Sequence, residues 1–253
     1  MTPEQTAASV KEAVDTLGGA FTEDPKTLRR ARELGLSGWA FYVAGRGGAL
    51  GDVRPDTVAA AMGFIAPEAV TDGWDVARRF AAPDELARHS LAECCRWGGE
   101  HLRTVPEIDE LTGLAEQIVM NAEPAGLPLF AAWRAMPVPR EGPGARAAVL
   151  LHLLREHRGG AHLIATRAAG LTPLEAILAG PDGEPGAVAY GWPLPYPPVG
   201  PLIRRRVAAE AITDRLVGQA YAVLTPRERA RLVALLTGAL AAYRSANASR
   251  HGG

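Results

Sequence analysis

Ionisable side chains are concentrated in one short stretch, LLREHRGGAH, which extends from Leu153 to His162. A histidine can donate or accept a proton near neutral pH, because its ordinary pKa is about 6.5. The side chains that could perform acid–base chemistry here are Glu156, His157 and His162. An anionic group of the same small molecule could bind to Arg155 or Arg158, since guanidinium groups form strong hydrogen bonds with anions. The stretch therefore predicts a substrate pocket that contains an acid–base catalyst.

The same stretch has a second interpretation as the solvated end of a helix. Cationic side chains favour the C-terminal end of the helix dipole, and glycine commonly follows the last helical residue. Gly159 and Gly160 would then terminate the helix that begins in GARAAVLLHLL. This pattern predicts a glycine-broken helix end and not one long helix. The residues alone leave both interpretations open.

Arg46 is the second candidate for binding an anion. It lies in FYVAGRGGALG, among glycines and shortly after Tyr42. We expect Arg46 and Tyr42 to reach the same pocket as ligand-binding residues. The glycines do not follow a predicted strand, so this segment is not a dinucleotide-binding fingerprint. Trp192 is a further binding candidate, because the Pro-rich, aromatic segment 180–201 could form a rigid lid over the pocket or merely cover the core.

Two histidine–glutamate pairs have the one-turn spacing of metal ligands on a helix. They are His89 with Glu93 and His152 with Glu156. Neither pair has the Glu-x-x-His order of di-iron helical bundles, so no metal site is predicted. The adjacent Cys94 and Cys95 could supply a haem thiolate, although buried cysteines are more often small core residues. We predict no cofactor and leave metal and haem open.

The elements that must position these residues are helices. Helix-start signals recur along the chain, and complete capping boxes occur at Thr2–Gln5 and Thr225–Glu228. No segment shows sustained alternation of polar and apolar residues, and the only tempting strand is GAVAYGW. We therefore predict an all-α fold, either one compact multi-helix domain or two packed helical lobes. The lobes would be residues 1–140 and 141–253, divided where proline and glycine cluster.

Composition narrows the classes of function. The 253 residues carry a formal net charge of -1 and are 47% hydrophobic, so there is no global basic field to hold nucleic acid. No uncharged apolar run reaches the roughly 18 residues that a membrane-spanning helix needs. The N-terminal segment lacks the apolar core of a signal peptide, and the two cysteines are adjacent, which favours a reducing compartment. We expect a cytoplasmic protein without a membrane partner.

Three stretches of the chain share residues with one protein family. The first is LGLSGWAFYVAGRGGALGDV, with matches at Gly38, Tyr42, Arg46 and Gly51. The second is LLREHRGGAHLIATRAAGLTPLEAIL, which includes the ionisable stretch, and the third is the closing pair of helices with AITDRL. Over about residues 28–240 the chain resembles an uncharacterised, mainly actinobacterial family labelled helix-turn-helix and winged-helix-like. The resemblance implies two helices and a small polar wing before the closing helices.

This chain departs from the family where the wing is expected. The segment GEPGAVAYGWPLPYPPVGP is too short and too rich in proline for two helices and a wing. We therefore predict a degenerate or absent winged-helix segment. Base readout in the major groove needs a presented helix, so DNA is not expected as a partner.

The predicted function is that of a small-molecule-binding all-α protein of secondary metabolism. Its chemistry would be acid–base catalysis without a cofactor, of the isomerase, cyclase or lyase type. The alternative, which the family label implies, is a ligand-responsive helix-turn-helix transcriptional regulator. A homodimer is compatible with either function.

Overall fold

Thirteen α-helices form the part of the chain that the computed structural model describes, residues 1–140 and 142–251. The helices are α1 Pro3–Gly19, α2 Pro25–Glu33, α3 Gly38–Gly47, α4 Pro55–Met62, α5 Pro67–Ala77, α6 Pro83–His101, α7 Ile108–Asn121, α8 Pro128–Arg134, α9 Pro143–Ala168, α10 Pro173–Leu178, α11 Gly183–Ala189, α12 Ile203–Tyr221 and α13 Pro226–His251. Short 3₁₀ helices cover Ala20–Glu23, Gly48–Leu50 and Gly200–Leu202. No strand occurs in these described ranges, which confirms the predicted all-α class.

Local sequence determines where several of these helices begin. The Thr2 side chain accepts a hydrogen bond from the Gln5 backbone amide, and the Gln5 side chain accepts one from the Thr2 amide. Thr225 and Glu228 make the same reciprocal pair at the start of α13. Each pair satisfies two backbone amides that would otherwise have no partner at a helix start. Both predicted capping boxes are confirmed.

The long helix α9 lies at the centre of the fold. It packs against α1, α6, α7, α8 and α12. The largest apolar cluster includes residues from helices around it, among them Val14, Trp97, Leu111, Leu150 and Leu236. Residues from both sides of the predicted boundary at 140 contribute to this cluster. The division into two lobes stays a prediction.

A second apolar cluster lies under α3, α4 and α5. It is built around Val43, Val58 and Trp74, and it includes Leu129 of α8. The indole of Trp74 donates a hydrogen bond to the Val53 carbonyl oxygen over 3.2 Å. Because α8 also packs against α9, it links the two clusters.

The glycines of the ionisable stretch do not break α9. The helix continues through Gly159 and Gly160 to Ala168, so the predicted glycine-broken end is wrong. A side chain at position 160 would place its Cβ only 2.8 Å from Cδ2 of Leu127. Gly160 therefore permits close packing, while the buried Ala161 and Ala165 continue the packed face of the helix. The packing of α9 against its neighbouring helices outweighs the weak helix propensity of its two glycines.

The segment where a winged-helix unit was expected contains two short helices. α10 and α11 are joined by the turn 179–182, and GAVAYGW lies mainly in α11 and not in a strand. The segment 193–199 that follows is non-helical, and no strand forms a wing in the described residues. The unit is thus a helix–turn–helix pair without a wing. The segment GEPGAVAYGWPLPYPPVGP itself holds one α-helix, α11, because α10 starts ten residues before it, at Pro173. As predicted, it does not hold two helices and a wing.

We predict that alanine at position 98 destabilises the fold. A Cβ on Gly98 would overlap the carbonyl oxygen of Gly144 and lie 2.5 Å from Cβ of Ala148, where α6 crosses α9. The expected loss in the free energy of unfolding is about 1–3 kcal/mol. The matched control is Gly99→Ala, since no atom lies within 4 Å of a Cβ at Gly99; it should raise the free energy of unfolding by up to about 1 kcal/mol. Urea denaturation measures both, and equal changes would contradict the close crossing.

Candidate functional site

A cleft of about 600 Å³ opens between α3, α4, α8, α9 and α11. Tyr42 and Arg46 of α3 meet Arg155 and Glu156 of α9 in its lining. The structure thereby brings together four of the residues predicted to form the site. Tyr42 and Arg46 are one turn apart in α3, and Arg155 and Glu156 are neighbours in α9.

Arg46 and Glu156 form a bidentate ion pair at the floor of the cleft. Arg46 Nε lies 2.7 Å from Glu156 Oε1, and Arg46 Nη2 lies 2.9 Å from Oε2. The Glu156 side chain is only 1% exposed. Burial alone would raise the pKa of Glu156, but the charge of Arg46, with smaller contributions from neighbouring groups, outweighs it and lowers the pKa to about 2. Glu156 is therefore a carboxylate at neutral pH and anchors Arg46.

Arg155 and Tyr42 complete the polar floor. The Tyr42 hydroxyl accepts a hydrogen bond from Arg46 Nη1 over 3.3 Å. Arg155 Nη1 lies 3.5 Å from Oε1 of Glu156, whose two oxygens already accept hydrogen bonds from Arg46. Burial would raise the pKa of Tyr42, yet the charges of Arg46 and Arg155 outweigh it and lower that pKa. Arg155, with a side chain 25% exposed, is the cation of the floor that reaches the open cleft.

The two histidines of the predicted catalyst lie outside the lining of the cleft. The His157 ring packs edge-on against Phe130 with centroids 5.0 Å apart, and its Nδ1 is buried without a hydrogen-bond partner. The His162 ring stacks on Phe64, and its Nδ1 lies 2.8 Å from Thr213 Oγ1. The lining of the cleft thus contains Glu156 but neither histidine, and the catalytic roles of His157 and His162 stay predictions.

Burial also disfavours the protonated form of these histidines. It lowers the pKa of His157 to about 4, with a further contribution from the charge of Arg134. It lowers the pKa of His162 to about 4 as well, together with the charge of Arg206. Both rings are therefore neutral at pH 7.

The remaining two predicted binding residues have structural partners elsewhere. Arg158 bridges α9 to α12, with ion pairs to Asp214 at 3.2 Å and Glu210 at 3.1 Å. The Trp192 indole donates a hydrogen bond to the Phe64 carbonyl oxygen over 2.8 Å. Both residues lie outside the lining of the cleft, and their ligand-binding roles stay predictions.

The candidate metal ligands His152 and Glu156 are close together, but each has another partner. His152 Nδ1 lies 3.0 Å from the Gly18 carbonyl oxygen, and its Nε2 lies 3.9 Å from Glu156, which is held by Arg46. The described ranges contain no group of three or more His, Cys, Asp or Glu side chains placed to hold a metal ion. Cys94 is buried and its pKa is raised well above the ordinary value by burial, so it is a thiol in the core.

The cleft lining also contains several apolar residues that were not predicted from the sequence. They come from α4, α8, α9 and the turns beside them, and they include Met62, Phe64, Ile65, Leu127 and Leu163. Their residue types are those of ordinary core positions, so no local signal separates them from the core. The sequence does offer a signal for Gly159, since a glycine lets a ligand or another backbone approach closely.

The helix–turn–helix pair α10–α11 lies at the edge of the cleft and contributes to its lining. Asp182 and Tyr190, the two residues that flank α11, are both part of the cleft lining. The Tyr190 carbonyl oxygen accepts a hydrogen bond from the Ala66 amide over 2.9 Å. Ile177 and Ala187 form a small apolar cluster between the two helices. Both ends of α11 are therefore accessible to a molecule in the cleft.

Two arginines, Arg167 and Arg205, lie beside the turn that precedes α10. With Arg204, the neighbour of Arg205 in α12, they are called the arginine cluster. Arg167 Nη1 donates to the Leu171 carbonyl oxygen over 3.2 Å, and Arg205 Nη1 donates to the Gly170 carbonyl oxygen over 3.2 Å. The three residues are exposed, and within residues 1–140 and 142–248 none of them has a carboxylate within ion-pair distance. Their charge is thus available to an anionic partner. Separately, no helix in the described ranges is both long and apolar enough to cross a membrane.

Comparison with known proteins gives one match. A family model described as "Helix-turn-helix family" matches residues 7–192, which include α10 and α11. No curated protein and no solved structure matched. The family match overturns the expectation that DNA is not a partner, because helix–turn–helix proteins present helices to DNA. That expectation rested on the short, proline-rich segment 183–201, whereas the pair formed by α10 and α11 begins before it. The chain belongs to the helix-turn-helix family.

Proposed function

We propose that the protein is a ligand-responsive transcriptional regulator, which binds DNA beside α10–α11 and a small molecule in the cleft. The carrying observation is that Asp182 and Tyr190, at the two ends of α11, line the cleft. Regulation requires two distinct sites and an element that both sites bias. In this proposal α11 is that element.

The arginine cluster supports the DNA side of the proposal. Guanidinium groups bind phosphate well, and phosphate contacts supply most of the sequence-independent affinity for DNA. The cluster is adjacent to the turn before α10, so it would hold the DNA backbone against the helix pair. The first turn of α11 carries an acidic side chain, Glu184, which would be repelled by the DNA phosphates. In this proposal the affinity therefore comes from contacts of the arginine cluster with the DNA backbone, and no base contact is assigned.

The acid–base enzyme that the sequence predicts has less support. Glu156 is held by Arg46, and neither His157 nor His162 lines the cleft. A general acid or base must come within hydrogen-bond reach of the proton that it transfers. The enzyme therefore ranks second to the regulator, and it would need a change of geometry around α9.

Binding of duplex DNA tests the proposal. We expect the double variant Arg204→Ala/Arg205→Ala to bind a duplex from upstream of the protein's own gene severalfold more weakly. The slope of log affinity against log salt should fall by about 0.9 for each lost phosphate contact. Fluorescence anisotropy between 50 and 200 mM salt, roughly the range over which such contacts are lost, measures both.

The matched control replaces two exposed arginines of α2, Arg29→Ala and Arg32→Ala, which lie outside α9–α12. It should leave the affinity and the slope unchanged. Equal effects of the two double variants would show general electrostatic attraction, and an absence of binding at low salt would end the regulator proposal.

A further inference from the structure

We infer that the cleft binds an acidic, largely apolar small molecule, whose anionic group pairs with Arg155. This inference rests on the proposed function and names the chemical class of its effector. It is carried by three observations on the cleft: the distribution of charge, the apolar walls and the open position above Arg155.

The charges of the cleft are distributed unevenly. At the floor, Arg46 and Arg155 share the single carboxylate of Glu156: Arg46 donates a hydrogen bond to each oxygen, and Arg155 lies 3.5 Å from Oε1. Asp15 of α1 also lines the cleft, but it is half exposed and lies 3.6 Å from Arg158. Asp182, the other acidic lining residue, is exposed at the start of α11. A cation therefore remains at the floor, and the carboxylates stand at the exposed margin.

The walls of the cleft favour an apolar body. The lining includes Met62 and Ile65, Leu129 and Phe130 of α8, and Leu163 of α9. Pockets of about 300–1,000 Å³ with mostly apolar walls and a few fixed polar groups are typical of small-molecule sites. A nucleotide or another multiply charged ligand would have to bury its charges against these side chains, at a high desolvation cost.

Gly159 leaves the space directly above Arg155 open. The two residues are four positions apart in α9 and so share one face of the helix. A Cβ at position 159 would meet no atom within 4 Å. A ligand can therefore lie along this face, with its anion at Arg155 and its body toward Tyr190 at the end of α11.

A pair of fluorescent probes tests the inference. 8-Anilinonaphthalene-1-sulfonate has an apolar body and one anionic group, and N-phenyl-1-naphthylamine has the same body without the anion. We expect the sulfonate to bind the folded protein at one site. Arg155→Met should weaken its binding about tenfold or more, because a hydrogen-bonded charge pair is lost, and should leave the neutral probe nearly unchanged.

Methionine is used at position 155 because it keeps the aliphatic part of the side chain beside Gly19. Three further variants complete the design. The first, Arg155→Lys, should restore part of the sulfonate affinity. Gly159→Leu should abolish the binding of both probes, while Gly113→Leu, at an exposed glycine of α7 with no atom within 4 Å, should change neither. Unfolding midpoints establish that each variant is folded.

The outcomes separate this inference from the proposed function. Sulfonate binding that fails in the unmodified protein, or that is unaffected by Arg155→Met and Gly159→Leu, overturns the inference even if DNA binds. Probe binding that follows the expected pattern in a protein that binds no DNA supports the inference and rejects the regulator. Release of bound duplex by the sulfonate, lost in Gly159→Leu, supports both.

Discussion

Replacing Arg46 with alanine is expected to lower the free energy of unfolding by about 3–5 kcal/mol, the usual cost of removing one partner from a buried ion pair. In the unmodified protein the Glu156 side chain is only 1% exposed, and the variant leaves it without its bidentate partner. Arg155 at 3.5 Å cannot replace both hydrogen bonds. Urea denaturation at pH 7 measures the loss.

Two variants give this experiment its controls. Arg88→Ala removes an exposed pair with Asp84, one helical turn away, and should cost no more than about 0.5 kcal/mol. The double variant Arg46→Met/Glu156→Leu removes both buried charges and should recover most of the stability. A loss for Arg46→Ala as small as that for Arg88→Ala would show that Glu156 does not depend on Arg46.

Acidification is expected to destabilise the protein well above the pH at which surface carboxylates titrate. Burial lowers the pKa values of His152, His157 and His162 to about 4, whereas in the unfolded chain they return to about 6.5. The unfolded state therefore binds more protons between these values, and stability falls as the pH falls from 6.5 to 4. The linked loss between pH 6.5 and pH 5 is about 1.5 kcal/mol for each histidine.

Titration of Glu156 adds a second pH range in which stability falls as the pH falls. Its pKa is about 2 in the folded protein, below its ordinary value of 4.5, so its contribution is complete above pH 4.5 and is lost as the pH falls toward 2. Denaturation at pH 7.5, 6.5, 5 and 4 measures the histidine range, and further points between pH 4 and pH 2 measure the Glu156 range. His157→Gln, which cannot gain a charge, should reduce the loss between pH 6.5 and 5 by about a third. A stability that stays flat across that interval would contradict the burial of the histidines.

The helix starts and the all-α class could be predicted because their signals are local. A threonine and a glutamate three residues apart are sufficient to identify the start of α13, and the structure contains both hydrogen bonds. The absence of alternating polar and apolar residues was equally informative, since strands with one buried face require that alternation.

The composition of the cleft could be predicted only in part. Residue types pointed to Arg46 and Glu156, but the two lie 110 positions apart, and no spacing rule pairs them. Helical spacing also failed to separate the roles of Glu156 and His157, because both are buried in a helix that packs on nearly every side. The direction in which each side chain points is decided by the surrounding helices and not by the stretch itself.

The burial of α9 among its neighbouring helices limits how fast its sequence can change during evolution. A helix with neighbours on almost every side has few positions at which a random substitution is neutral, since changes of volume or polarity in a close-packed interior are costly. Such a helix changes slowly whatever the protein does. Its residues are therefore useful for assigning the chain to a family and are weak evidence of chemistry. Drift at exposed positions such as Arg204 and Arg205 would be the more informative record of function.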